Sequence, residues 1–267
     1  TGAEISRLKF AHKPLYGKVV FFWEEPIQPL AKELSPVIID NKVGYIDKTG
    51  KMIIKPQFDV TWSFSEGFSE GLAPVKIGDK WGYIDKTGQM VIKPQFDGAI
   101  GFSEGLAFVK VGDKWGYIDK TGRFVFEPRS HYYTASFSEG LTPVTVRYKM
   151  GYIDKTGKTV INPQFDSTFC FSEGLAAVEI KDKWGYIGKT GQMVIKPQFD
   201  GAGDFSEGLA PVMVGNKCGY IDKTGKMVIK PQFDGVGYFD GDLALTKNGN
   251  RWQYISRRVS IVAGLSP

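Results

Sequence analysis

The tripeptide Gly-Tyr-Ile recurs at Gly44, Gly82, Gly116, Gly151, Gly185 and Gly219, and Trp252-Gln253-Tyr254-Ile255 is a worn seventh copy. Successive complete copies are separated by 38, 34, 35, 34 and 34 residues. A period near 35 across most of the chain restricts the fold to architectures in which one small unit is stacked many times. The longer first step arises because Phe64-Ser65-Glu66-Gly67 is duplicated at once as Phe68-Ser69-Glu70-Gly71, so the insertion falls in a loop, where extra residues are tolerated.

One unit, written from residues 72 to 105, holds three apolar-alternating runs: Leu72 to Gly78, Lys80 to Asp85 and Gln89 to Phe96. Their Val, Ile, Tyr, Trp and Phe content predicts strands, and no stretch carries helical periodicity long enough to compete. Gly78-Asp79 suits a two-residue hairpin with positive φ, and Asp85-Lys86-Thr87-Gly88 suits a turn capped by the Asp side chain with Gly in the left-handed position. Pro94 is expected to end the third run, because proline has no donor for a ladder. Such a three-stranded meander is too small to stand alone and must stack on its neighbours.

The string Phe-Ser-Glu-Gly-Leu-Ala, Lys-Trp-Gly-Tyr-Ile-Asp-Lys-Thr-Gly, Ile-Lys-Pro-Gln-Phe-Asp resembles the bacterial WG-repeat family over about residues 36 to 262. The resemblance implies an all-β tandem-repeat protein without catalytic chemistry or cofactor. The expected organisation is an N-terminal cap at residues 1–35 with one orphan strand near Gly17-Lys18-Val19-Val20, seven repeats at 36–262 and a tail at 263–267. The units are expected to form an open β-solenoid or superhelix. The alternative is a closed seven-bladed propeller, against which a 34- or 35-residue unit leaves only Gly98 to Gly101 for a fourth strand.

Composition excludes several classes. With 42% hydrophobic residues the chain can bury a core, yet no run reaches the roughly 18 to 20 apolar residues of a membrane helix. A soluble chain is expected, in a bacterial cytoplasm or exported to the envelope; it opens at Thr1 without a charged-then-apolar leader, as a processed or trimmed chain would. Two cysteines and two histidines offer neither a disulfide framework nor zinc spacing. A net charge of +5 without a clustered basic face argues against nucleic acid.

Repeated residues are expected to make the fold. The position holding Trp81, Trp115, Trp184 and Trp252 also accepts Val43, Met150 and Cys218, which predicts core filling rather than a stacking face for sugars, with Cys218 buried and Cys170 exposed. Lys48, Lys86, Lys120, Lys155, Lys189 and Lys223 share one register, but interleaved acids make each unit near neutral, so a solvated surface is expected before a track for an anionic polymer. The recurring Ser-Glu-Gly glutamates and the aspartates after the third strands lack the convergent oxygens that calcium requires, and Asp240-Gly241-Asp242 is the one local acid pair. No nucleophile motif or phosphate-cradling glycine loop is present, so neither a metal nor a catalytic role is expected.

Departures from the repeat are where a specific function is expected. The sharpest is Glu127-Pro128-Arg129-Ser130-His131-Tyr132-Tyr133, followed by Arg147-Tyr148-Lys149-Met150 in the next hairpin turn. Arg129, His131, Tyr132, Tyr133, Arg147 and Tyr148 are therefore the candidate partner-binding residues, since Tyr and Arg dominate protein interfaces. Secondary candidates are Trp62 and Phe64 in the first long loop and the basic set Arg251, Arg257 and Arg258; the aromatic segment Val19-Val20-Phe21-Phe22-Trp23 is expected to pack as a cap. The function expected is a non-catalytic scaffold or protein–protein interaction module, such as a structural or linker component of a larger bacterial assembly, with another protein as partner. The alternative is an envelope carbohydrate- or peptidoglycan-binding repeat protein.

Overall fold

The computed structural model of the chain describes residues 34–59, 67–129, 136–257 and 261–265, and every element among them is a β-strand. The expected orphan strand at Gly17–Val20, the Val19–Trp23 segment, Trp62 and Phe64 lie outside the described residues. The expected meander recurs copy by copy. In the fifth copy Leu175–Ile180, Lys183–Gly188 and Met193–Phe199 pair antiparallel in sequence order.

Both turns follow from their residues. Ile77 pairs with Lys80 around Gly78-Asp79, where Gly78 has φ 61, the region glycine enters without steric penalty. In the second turn Asp85 Oδ1 accepts hydrogen bonds from the Thr87 amide at 2.9 Å, the Thr87 hydroxyl at 2.6 Å and the Gln89 amide at 3.0 Å. The same set forms at Asp47, Asp119, Asp154 and Asp222.

The middle-strand glycine is fixed by a close approach. Trp184 faces Phe199 and Tyr186 faces Ile195, so the third strand bulges opposite Gly185. A Cβ on Gly185 would lie 2.4 Å from the Ile195 carbonyl oxygen and 2.7 Å from the Pro197 nitrogen. The strand also runs past its proline, from Met193 to Phe199 and likewise from Met90 to Phe96, because the bulge on an edge strand needs no ladder donor there. Pro94 therefore shapes the third strand rather than ending it.

A fourth strand does exist, reduced to two residues. Gly98–Ala99, Ser167–Thr168 and Gly201–Ala202 each pair with the first strand of the following copy, giving four-stranded sheets. In the last sheet this element lengthens to Gly235–Asp240, and the third strand is Ile261–Leu265.

The core lies between sheets. Tyr186, Ile195 and Phe199 of one copy share a cluster with Phe205, Val212 and Ile221 of the next. The Tyr186 ring meets Phe205 edge-on at 4.9 Å and its hydroxyl donates to the Gly203 carbonyl at 2.8 Å. Such an aromatic pair contributes about 0.5–1.5 kcal/mol beyond its buried area, and its counterparts recur at Tyr83–Phe102 and Tyr220–Phe239. Each Thr-Gly turn also rides on the third strand of the copy before it, with Gly225 against Ile195. The tandem sheets do not close into a barrel and form an open, solenoid-like repeat.

The tryptophan position fills volume less uniformly than expected. Trp184, Val43 and Cys218 are buried, but Trp81, Trp115 and Trp252 are only half-buried at the sheet margin. Cys170 is half-buried rather than exposed, and burial, reinforced by nearby Asp204, pushes its thiol up to about 11, leaving it protonated and unreactive near neutral pH.

Candidate functional site

The repeated charged residues are engaged in holding neighbouring copies together. In each Ser-Glu-Gly-Leu turn the Ser and Leu exchange backbone hydrogen bonds while the Glu takes φ near 50, a conformation costly for a residue with a Cβ. What offsets it is visible across the boundary. Glu104 accepts the Gly140 amide at 2.9 Å and pairs with Lys155 at 3.0 Å, while the Ser103 hydroxyl donates to the Phe137 carbonyl at 2.7 Å. Equivalent ion pairs join Glu70 to Lys120, Glu139 to Lys189 and Glu173 to Lys223, at 3.0–3.1 Å.

Lys120, Lys155, Lys189 and Lys223 are thus clamps between copies and not a free cationic ladder. The aspartates after the third strands act similarly. Asp97 takes Lys80 at 2.6 Å on one oxygen and the Gly112 amide of the next hairpin at 2.7 Å on the other, which holds its carboxyl below the usual range. Asp59, Asp200 and Asp234 repeat the pattern, as does Asp166 with Lys149 and the Lys181 amide. Carboxylates that might have been pooled for a metal are each distributed to amides and lysines.

Arg257 belongs to this series too. It stands where the other copies place the turn lysine, reaching Glu207 at 3.5 Å and Asp242 at 3.5 Å, donating to the Gly241 carbonyl at 3.1 Å and lying over the Phe239 ring at 5.6 Å. Its charge ties the last copy to the Ser-Glu-Gly turn before it. Arg251 is exposed at the final hairpin turn, opposite Asn248, and Arg258 lies outside the described residues.

At the break in the repeat, the structure describes part of the candidate set. Arg129 ends the strand Phe124–Arg129, its backbone opposite Trp115, while His131, Tyr132 and Tyr133 lie outside the described residues. Arg147 and Tyr148 form the two-residue turn between Leu141–Val146 and Lys149–Asp154. Both are left-handed, with φ 50 and 66, and Tyr148 is 95% exposed. Three sister turns put Gly78, Gly112 and Gly215 first and avoid that strain, whereas Asp40-Asn41 and Lys181-Asp182 are left-handed at both positions as well; what sets Arg147-Tyr148 apart is the exposed aromatic ring. In sequence, His131 occupies the place where Asp97 and Asp200 clamp the following turn. Lys114 stands at the position of Lys80 and Lys183, which pair with Asp97 and Asp200.

One group escaped the sequence reading. Asp204 occupies a column with Gly101, Ser136, Cys170 and Tyr238, one residue per copy. Its Oδ1 is buried without a hydrogen-bond partner among the described residues, and burial pushes the carboxyl up to about 6. Its backbone amide donates to the Tyr238 hydroxyl at 3.3 Å. Aligning the copies would have exposed it as the one acid in a column of small or neutral residues.

Among solved structures, a eukaryotic initiation factor is similar at 12% identity, with a TM-score of 0.61 over 88% of this chain and 74% of that one. The dihydro-heme d1 dehydrogenase NirN is similar at 13% identity and a TM-score of 0.51, over 90% of this chain and 64% of that one. A Kluyveromyces lactis Hsv2 structure gives 11% identity and a TM-score of 0.44, with 60% of each chain covered. Propeller-like folds are among these neighbours, and at such identities the likeness shows the fold alone. No curated protein matches the sequence. The model of the WG containing repeat matches residues 44–81, 81–115, 115–149, 150–184, 184–218 and 219–252. These six matches take up most of the chain, which therefore belongs to the WG-repeat family.

Proposed function

We propose that the chain is a non-catalytic protein–protein interaction module, a scaffold whose repeats make the stack and whose broken repeat makes the contact. The observation that supports this most is Tyr148: an almost fully exposed aromatic on a turn whose two non-glycine residues are both left-handed, beside a copy in which His131 replaces the clamping aspartate. The left-handed pair is shared with Asp40-Asn41 and Lys181-Asp182, so the support comes from the exposed Tyr148 ring at the broken repeat rather than from the backbone. Tyr and Arg supply contact area with polar tips, the commonest make-up of interface hot spots.

The carbohydrate reading has less support. Trp184 is covered by Phe169 at 5.1 Å, Trp115 by Phe108 at 4.6 Å, and Trp252 by Lys247 at 5.2 Å. A sugar would need a free ring face there. The test is affinity capture from lysate of the source organism with the wild-type chain and with Arg147→Gly, Tyr148→Asp, both shown folded by circular dichroism. A protein captured by the first and lost with the second is the expected result; capture that is indifferent to the turn contradicts the assignment of the site.

A further inference from the structure

The ion-paired lysines among the described residues divide into two populations. Those at the hairpins (Lys42, Lys80, Lys183, Lys217) pair with Asp, and those at the Thr-Gly turns (Lys120, Lys155, Lys189, Lys223) pair with Glu. The lysines of the third strands, Lys55, Lys93, Lys196 and Lys230, are exposed and form no ion pair among the described residues. They recur at one structural position in four copies; Glu127 and Asn162 occupy it in the third and fourth.

Beside these lysines stand exposed aliphatic side chains. Ile53, Val91, Val194 and Val228 are each 41–47% exposed. Along a strand the outward residues read Val91, Lys93, Gln95 in one copy and Val194, Lys196, Gln198 in another, with each glutamine amide turned back to the lysine carbonyl at 3.3 Å. The strands of Val91, Val194 and Val228 are each the last in their sheet, whereas that of Ile53 and Lys55 lies inside its sheet, joined to Leu72–Ile77 through Asp59 and Lys76. Edge protection explains a lysine at such a position. It does not explain the exposed β-branched aliphatic two residues before it at Ile53, Val91, Val194 and Val228, which is what an edge strand guarded only against pairing would lack.

We propose that the outer strands form a docking surface for an extended, acidic segment of a partner protein, in which carboxylates alternate with aliphatic side chains. An extended chain repeats its same-face side chains every ~6.6–6.8 Å, and Val91, Lys93 and Gln95 are exposed at the same alternation. Lysine offers point charges to carboxylates without the planar fork that favours phosphate. The alternating valines reward an amphipathic polypeptide and give nothing to a purely anionic polymer. Recurrence from copy to copy lets a multivalent partner gain avidity without any single strong contact. The proposal rests on the reading of the chain as an interaction module and names the chemistry of what it holds.

The experiment uses the full chain and a fluorescein-labelled peptide of alternating Glu and Val, followed by fluorescence anisotropy at low and physiological salt. Changing Lys93, Lys196 and Lys230 together to Gln is expected to weaken binding at least about tenfold. The same charge change at Lys48, Lys114 and Lys181 is expected to weaken it less than about twofold. Changing Val91, Val194 and Val228 to Ser also weakens it, and a Gln-Val peptide does not bind. Absence of binding, equal loss in the two lysine variants, or tighter binding of inorganic polyphosphate that ignores the valine change would each overturn the proposal. Capture through the Arg147-Tyr148 turn is a separate readout: its persistence after failure here would leave the module standing and remove only this surface.

Discussion

Glu104 and Lys155 stand in neighbouring copies and meet at 3.0 Å, with the Gly140 amide on the same carboxylate oxygen at 2.9 Å. Two partners from the next copy therefore converge on one side chain whose own backbone is left-handed. Glu104→Ala is expected to lower stability by about 1–2 kcal/mol, chiefly by leaving the Gly140 amide uncapped. Lys155→Ala, at a half-exposed ion pair, is expected to lower it by less than about 1 kcal/mol. Hydrogen exchange at Gly140 separates the two, since only the first change speeds it.

The same carboxylate gives a pH signature. Partial burial pushes Glu104 up, but the Lys155 hydrogen bond and the Gly140 amide outweigh it and hold the group below its usual range. A depressed carboxyl contributes stability above its unfolded-state pKa, and that contribution is lost as pH falls through the folded one. The gap between wild type and Glu104→Ala is therefore expected to narrow below about pH 4, as read from denaturation midpoints.

Asp204 behaves with the opposite sign. Burial pushes it up to about 6, so the folded chain holds a proton that the unfolded chain has released, and stability falls as pH rises from about 4 through 6. Asp204→Asn keeps the shape and removes the charge. It is expected to be more stable than wild type at pH 8 by an amount on the order of 2 kcal/mol, and equal to it near pH 4. Parallel stability–pH curves for the two chains would contradict the placement of this carboxyl.

Gly185→Ala probes the bulge. Its Cβ would sit 2.4 Å from the Ile195 carbonyl oxygen and 2.7 Å from the Pro197 nitrogen, both backbone atoms that cannot step aside. A loss of about 3 kcal/mol or more is expected. Gly215→Ala has open space around it and suffers only its φ of 62, so a smaller loss of about 1 kcal/mol is expected. Chemical denaturation of the two variants ranks them.

Arg147→Gly with Tyr148→Asp restores the turn found at Gly78-Asp79. Relief of two left-handed side-chain-bearing residues is expected to raise stability by about 1 kcal/mol while binding is lost. Unfolding midpoints measured beside partner capture test both halves of that trade.

The strands and both turns were legible because each depends on residues within one copy: alternation, the Gly78-Asp79 hairpin, the Asp85–Gly88 cap. The two-residue strand at Gly98–Ala99 was not, since its length lies far below any periodic signal and its partner is the next copy. The clamps were missed for the same reason. Lys155 reads locally as a solvated charge, Glu104 as a turn residue without convergent oxygens for calcium and Arg257 as a candidate contact residue, and only the stacking distance makes them pairs. Pro94 was misread as a strand end because the bulge that accommodates it is a property of two strands together. The break at Arg129–Tyr133 and Arg147–Tyr148 was visible as a lapse in an otherwise regular spelling; the left-handed turn that displays Tyr148 was not.

The most direct measurement of the interaction role is photo-crosslinking in the source cells with a benzophenone amino acid in place of Tyr148, compared with the same group at Asn216 of the regular sister turn. A discrete protein adduct at position 148 that is absent at 216 is the expected result. The same adducts from both turns, or none from either, would contradict the claim that the broken repeat is where this chain meets its partner.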